Sequence, residues 1–199
     1  MMQAETLIER YNRGDRDFRG ADLRGADLES ANLRGALLEG ANLRQANLYA
    51  ADLSNARLSS ADLRRANLKW VVLHDAELDR RTRIGDKWRL VWEIVTFGAE
   101  QRDLRGADLS EADLRGATLR GAKLDEADLS MANLYGADLT RAHLESARLV
   151  KTNLLGSDLT EASLKEADLS GAAVTSDQLK RARALRHAIK PKDQSTYRP

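Results

Sequence analysis

Leucine, or at one position phenylalanine, recurs every five residues from Phe18 to Leu78, thirteen times without a slip. The same beat resumes at Leu104 and runs to Leu169 and Val174, fifteen more units, with the register shifted by one residue. Five is neither the helical period of 3.6 nor the strand period of 2. Ala stands two residues before most of these centres, as at Ala21, Ala26, Ala107 and Ala112. That separation lets Ala and Leu point to one side of a short extended segment, while the Asp or Asn between them points outward. The closing position is often Gly or Ser, as at Gly20, Gly25 and Ser30, which suits a turn. Each pentapeptide therefore reads as one short straight side followed by a corner. Successive coils must stack so that backbone groups find ladder partners and Leu lies on Leu.

Composition agrees with a repeated small cross-section. Aromatic residues make up only 5% of the chain, and Leu and Ala carry the apolar content. Each inward Leu contributes on the order of 1.5–3 kcal/mol on burial. Ala is small because inward side chains crowd at its position, so Ala117→Leu should overpack a coil at a cost of about 1–3 kcal/mol. The Ala position departs from type at Arg16, Val71, Arg102, Thr152 and Ser157, and the two arginines each open an array. The repeated Asp22, Asp27, Asp108 and Asp113 are expected to hydrogen-bond nearby backbone at the outward turn.

The Ala-(Asp/Asn)-Leu-x-x units resemble the pentapeptide-repeat family, over 28 units or 140 residues. The resemblance implies an all-β solenoid, a right-handed quadrilateral β-helix with four units per coil and the Leu and Ala pointing inward. Within the family, the Leu-dominated centres and the long helical insertion are most similar to the bacterial, especially cyanobacterial, branch.

The repeat boundaries divide the chain into a capping helix at 1–15, array one at 16–80, a helical insertion at 81–101, array two at 102–176, and a C-terminal helix and tail at 177–199. An open β-stack exposes unpaired edges, so its ends need covers. Residues 3–13 read as a helix with Leu7, Ile8 and Tyr11 on one face and Gly14 as its stop. Thr175-Ser176-Asp177-Gln178 has the pattern of a capping box. The helix after it should carry Leu179, Ala182, Leu185 and Ile189 on one face until Pro191 stops it, with a disordered tail beyond. In the insertion, Trp88, Val91, Trp92 and Val95 fall at i, i+3, i+4 and i+7, between Asp86 as N-cap and Gly98 as stop. Two architectures are open: one continuous stack with this helix looped out, or two separately capped solenoids. The continuous stack is expected, because a wedged helix would sever the ladder.

No catalytic constellation stands out. His74, His143 and His187 are far apart in sequence, the serines and threonines have no nearby His, and the glycines are corners rather than a phosphate loop. Neither an enzyme, a cofactor, a metal site nor a small-molecule substrate is expected. Charge totals +1, with 10 basic and 10 acidic residues at 16–80, 9 and 13 at 102–176, and 7 and 2 at 177–199. A near-neutral total argues against nucleic acid and membrane as partners. Cysteine is absent, and the start lacks the basic-then-apolar order of a secretory signal, so a cytoplasmic monomer is expected. The candidate interaction surface comprises the apolar outward residues Trp70, Val72, Met131, Tyr135 and Leu155, together with Trp88, Trp92 and Phe97 of the insertion. A non-enzymatic scaffold for an unidentified protein partner is the expected function. The alternative, carried by the resemblance, is a DNA-mimic modulator of gyrase or topoisomerase of the quinolone-resistance type; that reading needs a continuous negative surface.

Overall fold

In the computed structural model, residues 4–189 and residue 191 are described. They form two compact units, the first ending at Trp92 and the second beginning at Glu93. Each carries one array.

The repeat closes on itself every twenty residues. In the first unit parallel bridges run from Asp17↔Leu37 through Asn42↔Asp62 to Asp62↔Arg83, and in the second from Asp103↔Lys123 to Asp168↔Ile189. An offset of twenty means four pentapeptides per coil, and each bridge is a single residue pair rather than an extended strand. The hydrogen bonds repeat with it. Leu23 N donates to Asn42 O at 2.8 Å, and Asn42 N donates back to Ala21 O at 2.9 Å. The corner is a β-turn, as where Ala26 N donates to Leu23 O at 3.1 Å. Its third residue is left-handed whether it is Gly25 (φ +62°) or Ser30 (φ +55°), the backbone that a type II turn demands at that place.

The outward Asp or Asn has a local reason. Its Oδ1 accepts from the backbone N–H two residues on, as in Arg24 N to Asp22 (3.4 Å), Arg44 N to Asn42 (3.3 Å) and Ser130 N to Asp128 (2.9 Å). That N–H faces out of the coil at the turn, and Asp and Asn serve it equally. Inside, the centre leucines other than Leu78 and most of the alanines are buried, for instance Leu43, Ala46, Leu134 and Ala137 at 0% exposure. Where Thr152 replaces Ala, it too is fully buried, and its Oγ1 donates to Leu129 O at 2.7 Å.

Among the described residues three helices attend the arrays: α1 (Ala4–Asn12), α2 (Asp86–Phe97) and α3 (Ser176–Arg181). In α1, Leu7 and Tyr11 are buried, and the Tyr11 hydroxyl donates to Arg34 O at 2.9 Å. Arg16, the first departure from Ala, donates to Tyr11 O at 2.8 Å and lies 3.7 Å from the centre of its ring. Arg102, the matching departure in array two, pairs with Glu93 at 2.7 Å. Both opening arginines thus tie a helix to the first coil of their unit.

Two sequence boundaries move. Array one does not end at residue 80: after a six-residue step, Thr82-Arg83-Ile84 forms one more unit, with Thr82 buried and its Oγ1 donating to Leu58 O at 2.9 Å. Asp79 absorbs the extra residue, its Oδ1 accepting from the backbone of Ser60 (2.9 Å), Arg81 (3.0 Å) and Thr82 (2.8 Å). At the other end the capping box is formed, with Gln178 N donating to Thr175 Oγ1 at 3.2 Å and Thr175 N donating to Gln178 Oε1 at 2.9 Å. The helix, however, stops at Arg181 rather than running on to Ile189. Ala184 and Ile189 instead rejoin the ladder opposite Ser163 and Asp168. In α2 the buried residues are Val91 and Ile94, while Trp88, Trp92 and Val95 of the expected stripe are half-buried. The expected disordered tail and the start of the first helix at Gln3 lie outside the described residues.

Candidate interaction surface

The eight candidate residues divide between the two units. In the first, Trp70 takes a left-handed corner (φ +61°) and Val72 is the outward residue of the next side, bridged to Asp52. Both are half-buried. Trp88 and Trp92, on α2, are half-buried as well. Trp92 is fixed in place, since its indole Nε1 donates to Ala76 O at 2.7 Å. Beside it Arg89 donates to Thr82 O at 2.6 Å. These two bonds dock the start of α2 on the last coil of array one, a role that the helical stripe alone did not show.

In the second unit, Tyr135 and Leu155 occupy the same place in successive coils, each directly after a centre Leu. Gly136 N donates to Leu155 O at 3.0 Å, and a Cβ at Gly156 would lie 3.7 Å from the Tyr135 ring. The ring therefore lies along the column, over a glycine corner that leaves room for it. Tyr135 is 56% exposed, and Met131, at the preceding corner (φ +57°), is 39% exposed. Phe97 is 72% exposed and ends α2 beside Gly116 and Thr118, at the corner where Gly116 N donates to Tyr135 O at 2.9 Å. Ile189, expected on a helix face, is an exposed residue of the returning coil.

Much of the remaining exterior is charged, and part of it is locally paired. Asp-Leu-Arg triplets form ion pairs within one unit, such as Arg24–Asp22 (2.7 Å), Arg64–Asp62 (2.6 Å) and Arg115–Asp113 (2.7 Å). Hydrogen bonds from the Arg side chains hold the Asp17, Asp22, Asp62 and Asp103 carboxyls down to about 2. A shallow hollow of about 290 Å³ on array two is lined by Arg141, His143, Glu161, Ser163 and Arg183, with Arg141 bound to Glu161 at 2.6 Å. Among the described residues, no group of His, Cys, Asp and Glu could hold a metal ion, and no helix is long and apolar enough to cross a membrane.

A family model, described as Pentapeptide repeats, matches residues 17–55, 51–80, 103–141 and 137–172. Among solved structures, the chain is similar to HetL, a pentapeptide repeat protein involved in heterocyst differentiation regulation from the cyanobacterium Nostoc sp. strain PCC 7120. That match has 31% identity, covers 86% of this chain and 97% of the other, and has a TM-score of 0.25. A pentapeptide repeat protein from the Arabidopsis thaliana thylakoid lumen matches at 26% identity over 80% of this chain and 72% of the other, with a TM-score of 0.25. Full-length QnrB1, a plasmid-mediated fluoroquinolone resistance protein, matches at 16% identity over 86% and 92%, with a TM-score of 0.31. No curated protein matches the chain.

Proposed function

Since the chain belongs to the pentapeptide-repeat family, whose members are generally structural or interaction modules, we propose that it is a non-enzymatic scaffold that docks a protein partner on array two. Its coils are taken to wind right-handed around four sides, as the family implies. The observation that carries the docking site is Tyr135, more than half exposed, with Leu155 one coil further along and Met131 at the neighbouring corner. An exposed, amphipathic ring held against a rigid ladder offers a partner large contact area at little entropic cost. Affinity capture from the native cell should recover a protein with the wild type that is lost with Tyr135→Ser at unchanged circular dichroism. The same set of proteins recovered with both would remove this reading.

The acidic surplus of array two, 13 acidic against 9 basic residues at 102–176, favours a second reading, gyrase modulation by charge mimicry. Arginines are mixed into the same faces, as at Arg115, Arg120 and Arg148. A supercoiling assay with micromolar protein that shows neither inhibition nor rescue from a quinolone disposes of it.

A further inference from the structure

The balanced charge of array one conceals where its arginines stand. The twenty-residue period puts Arg24, Arg44 and Arg64 at one and the same place in three successive coils, each just after a centre Leu. The face they border carries the ladder Asp22↔Asn42, Asn42↔Asp62 and Asp62↔Arg83. Arg65 follows at the corner, and Arg80 and Arg81 precede the face at its other edge. All are exposed.

Two carboxylates lie on the face itself, and at the edge of Arg80 and Arg81 stand Glu39, paired with Arg57 at 3.1 Å, and Asp79, held by the backbone of Ser60, Arg81 and Thr82. Asp22 is held by Arg24 at 2.7 Å, and Asp62 is held by Arg64 at 2.6 Å with Arg83 at 3.8 Å. The middle coil differs. Asn42 supplies the same turn acceptor to Arg44 N, at 3.3 Å, but brings no charge. Among the described residues, neither Arg44 nor Arg65 has a carboxylate within ion-pair distance. The fold accepts either Asp or Asn here, so the choice of Asn42 sets charge rather than structure.

We propose that this face of array one binds the phosphate backbone of double-stranded nucleic acid. The face has no apolar outward residue, whereas protein interfaces centre on apolar and aromatic anchors. The ring beside the column, Trp88 next to Gly85, is half-buried and single, not the row of exposed rings that single strands stack on. Pairs between exposed arginines and a partner's carboxylates would each be worth only about 0–1 kcal/mol. A duplex, by contrast, presents a charge every ~1.7 Å of axis and releases counterions when arginines replace them. The guanidinium column advances by roughly 4.8 Å per coil on a flat face, which suits backbone contact without base readout. The near-neutral total argued against nucleic acid; its distribution over the coils argues for it. The site is separate from Tyr135 and independent of the scaffold reading.

The test is fluorescence anisotropy of the full chain with two labelled 20-base-pair duplexes of unrelated sequence. Both should bind alike at 50 mM salt, and about three phosphate contacts would weaken binding roughly 40-fold by 200 mM. Asn42→Asp should pair with Arg44 as Asp22 does with Arg24, weakening binding several-fold and lowering the salt slope by about one. Arg44→Ser should do the same, while Arg141→Ser on array two should leave binding unchanged. Circular dichroism confirms that each variant is folded. The proposal is overturned if no duplex binds at 50 mM salt, or if Asn42→Asp binds as the wild type does. Preference for a single strand, or binding to poly-glutamate or phosphatidylserine vesicles but not to duplex, overturns it too.

Discussion

At the scale of the residue, each of the five positions has one physical duty, and substitutions separate these duties. Gly25 sits at φ +62° with nothing within 4 Å of where a Cβ would be. Gly25→Ala therefore tests backbone conformation alone and should cost about 1 kcal/mol in urea denaturation. A cost near zero would mean that the corner itself relieves the left-handed strain, as Ser30 at φ +55° already hints. The outward aspartates make a different prediction. Asp17, Asp22, Asp62 and Asp103 titrate at about 2 in the folded chain, below the ordinary 3.8. Their folded values lie below their unfolded ones, so their contribution is fully present above about pH 4 and is lost as pH falls through 2. Carboxyl-carbon NMR should show these four titrating late as the pH falls. The exposure of these groups keeps the effect on stability small.

At the scale of the element, the sequence revealed the sides and corners but misplaced the ends of the arrays. The five-residue spacing with its inward Leu and Ala was legible because every unit solves the same packing problem. Leu179, Ala182, Leu185 and Ile189 fit a helix by spacing, yet Ala184 and Ile189 are ladder residues. A six-residue step from Leu179 to Leu185 broke the period and disguised a unit as a helical turn. The step from Leu78 to Ile84 hid the last unit of array one in the same way, since the carboxylate of Asp79 that makes it feasible acts through backbone contacts. In α2, Trp92 was legible as apolar but its hydrogen bond to Ala76 O was not. Trp92→Phe keeps most of the ring and leaves that carbonyl without its donor. It should lower stability by about 0.5–1.5 kcal/mol, and amide exchange should quicken in α2 before it does in Leu43 or Leu48. Equal protection of α2 in both proteins would show that the bond is not what holds the helix.

At the scale of the whole chain, the twenty-residue period is a stronger statement than the five-residue one, and it governs function as well as fold. It decides which outward residues become neighbours, so it placed Leu155 beside Tyr135 and Arg44 between Arg24 and Arg64, pairs that composition and total charge could not show. It also predicts which deletions the chain tolerates. Removing residues 124–143 takes out one coil, joins Lys123 to Leu144, and leaves every later residue in the column it held before. Because coils in a solenoid contact chiefly their neighbours, this shortened protein should keep its circular dichroism per residue and a cooperative urea transition. Removing residues 124–145 deletes only two more residues but breaks the five-residue register, setting outward side chains against the interior. That variant should lose the transition. If both deletions fold equally well, the coils tolerate register slips and the columns of array two are not fixed by the ladder; if neither folds, array two is one indivisible unit rather than a stack of equivalent coils.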